Sequence, residues 1–182
     1  MKILKPWMFC TSLALLLIPS TVLAQNVGNV YWQSNGGGCI PTDKTIQNQQ
    51  YFTVNGAGRV KYKGNGTEPL AFSCPVSNIN SNVSGGRAIM LRLFYQDPDG
   101  PADGFKVEAT LRSFAKSNGA YNSQVCKVTS NKRGQWSVSD YLCQIDLSAN
   151  IYWVEVVIKR NQPSNLVVEF NGVSLESTYL VD

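Results

Sequence analysis

The sequence contains no histidine, and this absence removes the side chain that enzymes use most often as a general base. It excludes the serine and cysteine triads that need a histidine. It also excludes a mixed cysteine–histidine zinc site, and no two cysteines have the close C-x-x-C spacing of zinc or redox sites. Paired carboxylates, as in glycosidases, remain available, but no spacing singles out two acidic residues. A small hydrolase is therefore the weakest functional hypothesis, and the residues favour a non-catalytic protein.

Long apolar runs are absent after residue 24. Residues 1–24 carry Lys2 and Lys5, then an apolar run, then the small-residue pattern that ends at Ala24. This is the pattern of a secretory signal peptide that is cleaved after Ala24. No later window reaches the roughly 18 uninterrupted apolar residues of a membrane-spanning helix. We therefore expect a secreted or periplasmic protein with no transmembrane segment once the signal is removed.

Charged residues are also scarce, at 15% of the chain. The loss of Lys2 and Lys5 with the signal lowers the formal charge from +4 to +2. So small a positive charge makes nucleic acid an unlikely partner. Residues 25–182 have the length of one domain, and no linker divides them.

Four cysteines remain beyond the signal: Cys39, Cys74, Cys126 and Cys143. An even number in an exported chain favours two disulfides, for which three connectivities exist. We favour Cys39 with Cys74 and Cys126 with Cys143, because each bond then closes a local unit. In the chain-entropy view each bond contributes about 3–4 kcal/mol. We expect these cysteines to be structural cross-links.

Apolar and polar residues alternate along most of the chain, whereas helix-like spacing is rare. In "FKVEATLR", Val107, Ala109 and Leu111 fall on one face and the charged residues on the other. The richer runs "AIMLRLFYQ" and "IYWVEVVIKR" are predicted to be central strands. Turn signals such as "NGAG", "DPDG" and "SNG" separate these runs. The pattern predicts an all-β fold, an antiparallel β-sandwich of jelly-roll-like form with about nine or ten strands.

The stretch "QDPDGPADG" holds Asp97, Asp99 and Asp103 between two predicted strands. Three carboxylates and nearby carbonyls are oxygen ligands of the kind that calcium takes. The stretch lacks the glutamate and the spacing of an EF-hand loop, and Pro98 and Gly100 fit a turn without an ion. We therefore interpret it first as a hairpin corner and second as a calcium site. No other cofactor is predicted.

Aromatic residues offer a binding surface for sugars, because a flat ring can stack on a pyranose. Trp136 lies in "NKRGQWSVSDY", which is predicted to be a loop or hairpin tip, together with Tyr141, Lys132 and Arg133. These four residues are the predicted ligand-binding set. The alternative is that Trp136 is buried in a small cluster beneath the loop, since tryptophan is usually mostly buried. Trp153 alternates with apolar neighbours and is predicted to cover a core.

Arg59, Lys61 and Lys63 alternate with apolar residues, so that on a strand they share one face. Such a stripe suits phosphate or an anionic polysaccharide. A solvated strand face with lysines that discourage edge pairing has the same pattern, and the small net charge favours this second interpretation.

The segments "CIPTDKTIQNQQYFTVNGAGRVKYKG", "LAFSCPV" and "LRLFYQDPDG" combine a Cys-x-Pro, a Cys-Pro and a Tyr-x-Asp-Pro-Asp element. With these elements the chain resembles a loosely defined group of exported bacterial proteins. The resemblance implies an exported β-protein. It implies no activity and no catalytic residue.

Two functional hypotheses come before the hydrolase. The first is a non-catalytic binding module for carbohydrate or another component of the cell envelope, with its site on loops or a sheet face. The second is a structural or assembly protein of the cell surface that acts through protein–protein contacts, for example by adding a partner's strand to an exposed sheet edge.

Overall fold

The structure is a computed structural model of the chain, and it describes residues 30–77 and 86–178. The predicted signal segment, residues 1–24, lies outside the described residues. Residues 78–85, within a polar tract that the sequence predicts to be a surface loop, lie outside them too. Among the helices of the described ranges, none has the length and apolar character needed to cross a membrane.

Most of the described residues belong to β-strands. The strands are β1 (Val30–Asn35), β2 (Ile40–Pro41), β3 (Phe52–Val54), β4 (Val60–Tyr62), β5 (Leu70–Pro75), β6 (Arg87–Asp97), β7 (Phe105–Ala115), β8 (Tyr121–Thr129), β9 (Gly134–Ile145), β10 (Asn150–Arg160) and β11 (Glu169–Ser177). One short helix, α1 (Asp43–Gln47), and two 3-10 turns (Gly36–Gly38 and Gln49–Tyr51) lie between the first strands.

The strands form two antiparallel sheets. The six-stranded sheet has the order β3-β4-β11-β6-β9, and β1 also pairs with β11. The five-stranded sheet has the order β2-β5-β10-β7-β8. This arrangement confirms the predicted antiparallel β-sandwich. The described residues form eleven strands rather than nine or ten, because strands of two or three residues are too short for alternation to reveal them.

The core lies between the sheets and is built from the faces that alternation predicts. From Ile89 along β6 and from Tyr152 along β10, every second side chain points inward and is at most 5% exposed. The apolar and aromatic inward residues of these two strands are Ile89, Leu91, Leu93, Tyr95, Tyr152, Val154, Val156 and Ile158. Because both strands are central in their sheets, their outward side chains lie in the middle of the two outer faces.

The chain crosses from one sheet to the other at almost every connection. Among the eleven strands of the described residues, only β3–β4 and β7–β8 are consecutive strands that pair with each other. The hairpin predicted for "QDPDGPADG" is therefore wrong: β6 and β7 lie in different sheets, and residues 98–104 form an arch between them. Alternation reveals a strand but not its partner, which is why the sequence did not separate a hairpin from an arch.

Both predicted disulfides are present, Cys39–Cys74 and Cys126–Cys143. The second joins β8 to β9, the last strands of the five-stranded and the six-stranded sheet. It therefore fastens the two sheets together along one open side of the sandwich.

Candidate functional site

A groove of about 650 Å³ lies on the outer face of the six-stranded sheet. We call it the Trp136 groove. Its lining comes from five separate segments of the chain and includes Gln33, Asn35, Arg59, Phe94, Trp136 and Asn171.

The floor of the Trp136 groove is a row of residues that face each other across three strands. Gly172 of β11 pairs with Asn35 of β1 on one side and with Phe94 of β6 on the other. Because Gly172 has no side chain, the floor is low between its two neighbours. A Cβ atom at Gly172 would lie only 2.8 Å from the carbonyl oxygen of Ser34, so no larger residue fits without a shift of the backbone.

One wall of the groove is a pair formed by Arg59 and Trp136. The guanidinium carbon of Arg59 lies 3.9 Å from the centre of the indole ring, in the geometry of a cation–π contact. Arg59 directly precedes β4 and Trp136 lies on β9. Strands β11 and β6 lie between β4 and β9, so the two side chains extend towards each other across the outer face of the sheet. Trp136 is nevertheless 65% exposed. The alternative of a Trp136 buried beneath a loop is therefore wrong, because the residue lies on the edge strand β9 and points outward.

The loop between β3 and β4 sets the position of Arg59. The side-chain oxygen of Asn55 accepts hydrogen bonds from the backbone N–H groups of Ala57 and Arg59, at 2.9 and 3.0 Å. Gly58 has a φ of +72° and lies against the side chain of Asn35, where a Cβ atom would clash at 2.5 Å. The turn "NGAG" thus holds Arg59 over the sheet instead of letting it extend into solvent.

Polar groups in and beside the groove have no partner among the described residues. Asn171 Oδ1 is one of them: it is buried and accepts no hydrogen bond. Arg92 lies one row further along the same face; it pairs with Glu176 at 2.7 Å, but its Nε is buried without a partner. Within residues 30–77 and 86–178, no carboxylate forms an ion pair with Arg59. Buried polar groups normally have a partner, so Asn171 Oδ1 and Arg92 Nε are unusual, whereas the partly exposed Arg59 can donate to a ligand or to water.

Of the four predicted ligand-binding residues, the structure places only Trp136 in the groove. Tyr141 lies on the same strand, β9, but an odd number of positions away, so it belongs to the other face. Lys132 and Arg133 are exposed in the connection before β9 and do not line the groove. The predicted loop around Trp136 is largely strand, since β9 begins at Gly134.

The other groove residues were not singled out as one site from the sequence. Arg59 belonged to the cationic stripe, and here it contacts Trp136 while Lys61 pairs with Glu169 at 3.9 Å. Gln33, Phe94 and Asn171 carried no signal, because each sits on a different strand and only the sheet order brings them together.

The three aspartates of "QDPDGPADG" are hydrogen-bond acceptors and ion-pair partners of the arch. Asp97 is fully buried and accepts from the backbone N–H of Gly100 at 3.0 Å and from the Ser130 hydroxyl. Burial raises the pKa of Asp97, although the bond from Ser130 acts in the opposite direction. Asp99 accepts from the backbone N–H of Phe105, and Asp103 pairs with Lys106. No three acidic, histidine or cysteine side chains of the described residues are grouped as a metal site.

Trp153 does not cover the core between the sheets. It is half-buried on the outer face of the five-stranded sheet, where its ring stacks on Phe114 and Tyr121 with centroid distances of 4.8 and 5.8 Å. The alternation predicts this strand correctly, but Tyr152 faces the core and Trp153 faces outward.

No protein-family profile matches the chain, and a search of curated proteins finds no relative by sequence. Among solved structures, the chain is similar to the N-terminal endo-1,4-beta-D-xylanase 10B of Clostridium thermocellum, whose CBM22-1 and GH10 modules were solved with xylohexaose. The TM-score is 0.53 at 10% identity, over 86% of this chain and 29% of that chain. The present chain thus spans less than a third of the enzyme structure, and the likeness shows the β-sandwich fold alone.

Two smaller proteins superpose more loosely. A carbohydrate-binding module of lichenase 5A from Cellvibrio mixtus, solved with cellotriose, gives a TM-score of 0.38 at 10% identity, over 83% of this chain and 100% of the module. The low-affinity xylan-binding module CBM86 of Roseburia intestinalis gives 0.41 at 14% identity, over 81% of this chain and 96% of the module.

Proposed function

We propose that the protein is an exported, non-catalytic β-sandwich that binds carbohydrate in the Trp136 groove. The observation that carries the proposal is an indole ring 65% exposed on a strand, beside Arg59, which has no acidic partner among the described residues. An exposed tryptophan next to unsatisfied polar groups is typical of a surface that is completed by a ligand.

A sugar ring matches this arrangement because it has two apolar faces and a rim of hydroxyl groups. One face would stack on the indole of Trp136, and a second sugar would extend over Phe94 and the low floor at Gly172. The hydroxyl rim would accept from Arg59 and from the Gln33 amide, which both line the groove. Each contact uses a group that the protein itself leaves accessible or unpaired.

The composition of the groove supports binding without hydrolysis. None of its described lining residues is acidic, so the groove has no pair of carboxylates for glycoside cleavage. The fold similarity to a xylanase structure solved with xylohexaose supports β-1,4-linked glycans as the first ligands to test.

The test is a polysaccharide panel, which includes xylohexaose, with titration calorimetry on the wild type and on Trp136→Ala. We expect the substitution to lower affinity at least tenfold, since stacking on an exposed ring contributes about 1.4 kcal/mol or more. The melting temperature should barely change, because Trp136 is mostly exposed.

Tyr141→Ala is the matched control, since Tyr141 is an aromatic residue of the same strand and is 56% exposed on the other face. It should bind as the wild type does. If Trp136→Ala binds every glycan as tightly as the wild type, the groove is not the site. If no glycan of the panel binds to the wild type, the proposed function is wrong.

The assembly hypothesis is also favoured by one observation. β9 is the last strand of the six-stranded sheet, and it exposes Tyr141 and Leu142 by 56% and 53%. Its outer edge offers backbone groups to a partner strand. Light scattering of the purified protein tests this function: a dimer that Leu142→Lys dissociates would support it, and a monomer at all concentrations would speak against it.

A further inference from the structure

A second pocket, of about 240 Å³, lies at the end of the sandwich where β10 ends. We call it the Arg160 pocket. It is lined by three cationic residues, Lys61, Lys63 and Arg160, and by the polar residues Ser164 and Asn165. It shares no lining residue with the Trp136 groove.

Arg160 is the unusual member of this set, because its side chain is buried while its charge is not paired. The residue is only 2% exposed, and it faces inward with Ile158 on β10. In the part of the chain that the structure describes, no carboxylate forms an ion pair with it. A guanidinium group cannot lose its proton in a protein, so this charge persists in the interior.

The contacts that Arg160 makes satisfy it only in part. Nη1 donates a hydrogen bond of 2.6 Å to the carbonyl oxygen of Gly64. The rings of Tyr62 and Phe105 lie 5.2 and 5.9 Å from the guanidinium carbon and provide weak cation–π contacts. Nε is buried and has no hydrogen-bond partner within residues 30–77 and 86–178. A buried charge without a counter-charge is strongly unfavourable, which indicates that an additional group compensates it.

The neighbouring lysines add positive charge rather than neutralise it. Lys63 is exposed, and its side chain makes no hydrogen bond or ion pair with the described residues. Lys61 faces Glu169 at 3.9 Å, a long contact at a partly exposed position that leaves most of its donors accessible. The pocket volume exceeds that of several water molecules, each of which occupies about 30 Å³ in the liquid. It therefore has room for a polyatomic anion.

We infer that the Arg160 pocket binds a compact oxyanion group, of the sulfate, phosphate or carboxylate type, with Arg160 and Lys63 as its charged ligands. The group is either a free ion or the anionic substituent of a larger molecule such as an acidic sugar. Its planar or tetrahedral oxygens would accept from the fork of the guanidinium and from the Lys63 ammonium.

The test measures the melting temperature as sodium sulfate, sodium phosphate or sodium glucuronate replaces sodium chloride at constant ionic strength. We expect at least one of these anions to give a saturable rise of about 2–4 °C. The general stabilisation by sulfate through exclusion from the surface does not saturate and is the same in all variants. A rise with glucuronate alone would identify a carboxylated sugar as the source, whereas a rise with sulfate or phosphate would identify a tetrahedral oxyanion. Absence of a saturable rise with all three anions would overturn the inference.

Lys63→Gln should shift the midpoint of the anion response to at least fivefold higher concentration. Lys132→Gln is the matched control, because it removes the same charge at an exposed position outside the pocket, and it should respond as the wild type does. Equal responses of the two lysine variants would contradict the assignment. Arg160→Met should abolish the saturable response; if this variant does not fold, the lysine pair decides alone. Trp136→Ala should keep the full response, so the result is separate from glycan binding in the groove.

Discussion

The two outer faces of the sandwich contain similar residues but use them differently. On the five-stranded sheet, Phe114, Tyr121 and Trp153 pack against one another, with centroid distances between 4.8 and 5.8 Å. On the six-stranded sheet, Trp136 contacts the guanidinium of Arg59. Within the described residues, no other aromatic or cationic side chain stacks on its ring. On the first face three aromatic rings stack on one another, although Phe114 and Tyr121 remain 42% and 53% exposed; on the second, the indole of Trp136 stacks on a guanidinium and is 65% exposed.

The charged residues of the two faces show the same contrast. On the five-stranded sheet, Arg112 donates from Nε to Glu155 at 2.9 Å. Glu108 on that face binds both Lys127 and Lys159. The six-stranded sheet also has ion pairs, Arg92 with Glu176 and Lys61 with Glu169, but within the described ranges Arg59 has no acidic partner and Asn171 Oδ1 has no donor. A surface whose groups satisfy one another contributes to stability, whereas unsatisfied groups are suited to binding. The comparison therefore predicts that substitutions on the two faces have opposite phenotypes.

The largest expected effect is on stability, from Trp153→Ala. The substitution removes the half-buried ring that Phe114 and Tyr121 both contact. We expect unfolding to become easier by about 2–3 kcal/mol, less than for a fully buried tryptophan. Chemical denaturation would measure the change, and glycan affinity should stay as in the wild type. Reduced glycan binding by a folded Trp153→Ala protein would show that the five-stranded face also takes part in recognition.

A smaller effect is expected from Arg59→Met, this time on binding. The variant keeps an elongated side chain over the indole but loses the cation–π contact and the donors at the groove wall. We expect affinity for the glycan to fall about fivefold, which corresponds to about 1 kcal/mol. Lys61→Met is the control: it removes the same charge from the neighbouring strand position, and Lys61 does not line the groove. An equal loss in both variants would mean that general positive charge, not the Arg59–Trp136 pair, attracts the ligand.

The smallest effect concerns pH. Burial by itself would raise the pKa of Glu108, but hydrogen bonds and charges from Lys127 and Lys159 outweigh it and hold the pKa below its ordinary value. A lowered pKa in the folded state gives stability that is present above the unfolded-state pKa, about 4.3, and is lost as the pH falls through the folded-state value. We expect Glu108→Gln to be less stable than the wild type at pH 7 by no more than about 1 kcal/mol.

The difference between Glu108→Gln and the wild type should shrink as the pH falls from 5 to 2, in thermal unfolding followed by circular dichroism. Glu68→Gln is the control, because Glu68 is 53% exposed in its pair with Lys44. This control should follow the wild-type curve closely. A constant gap between Glu108→Gln and the wild type over the whole pH range would show that the ion pairs of Glu108 are not its source.

The sequence predicted the sandwich and both disulfides because these depend on local information. Two-residue alternation identifies Ile89, Leu91 and Leu93 as an inward face without knowledge of any partner strand. The favoured pairing of Cys126 with Cys143 required only that nearby cysteines close a local loop. The site was mostly missed, since Phe94 and Asn171 meet Trp136 only through the order β11-β6-β9, and alternation contains no information on strand order.

The arch at "QDPDGPADG" shows why a correct element can be joined to the wrong neighbour. Pro98 and Gly100 predict a change of chain direction, and the structure has one. The chain crosses to the facing sheet at this arch, and the buried Asp97 there accepts a hydrogen bond from Ser130, 33 residues further along the chain. That contact is non-local, so the turn residues by themselves do not determine it.

The connections between the sheets have a consequence for how this protein acquires its shape. Since all but two of the connections between consecutive strands cross the sandwich, neither layer can be completed from one continuous piece of the described chain. Its strand pairings join distant segments, such as β1 with β11, and such topologies fold slowly and in a single cooperative step. A truncated fragment would leave strand edges unpaired instead of forming half of a domain. We therefore expect this polypeptide to fold as a whole or to aggregate.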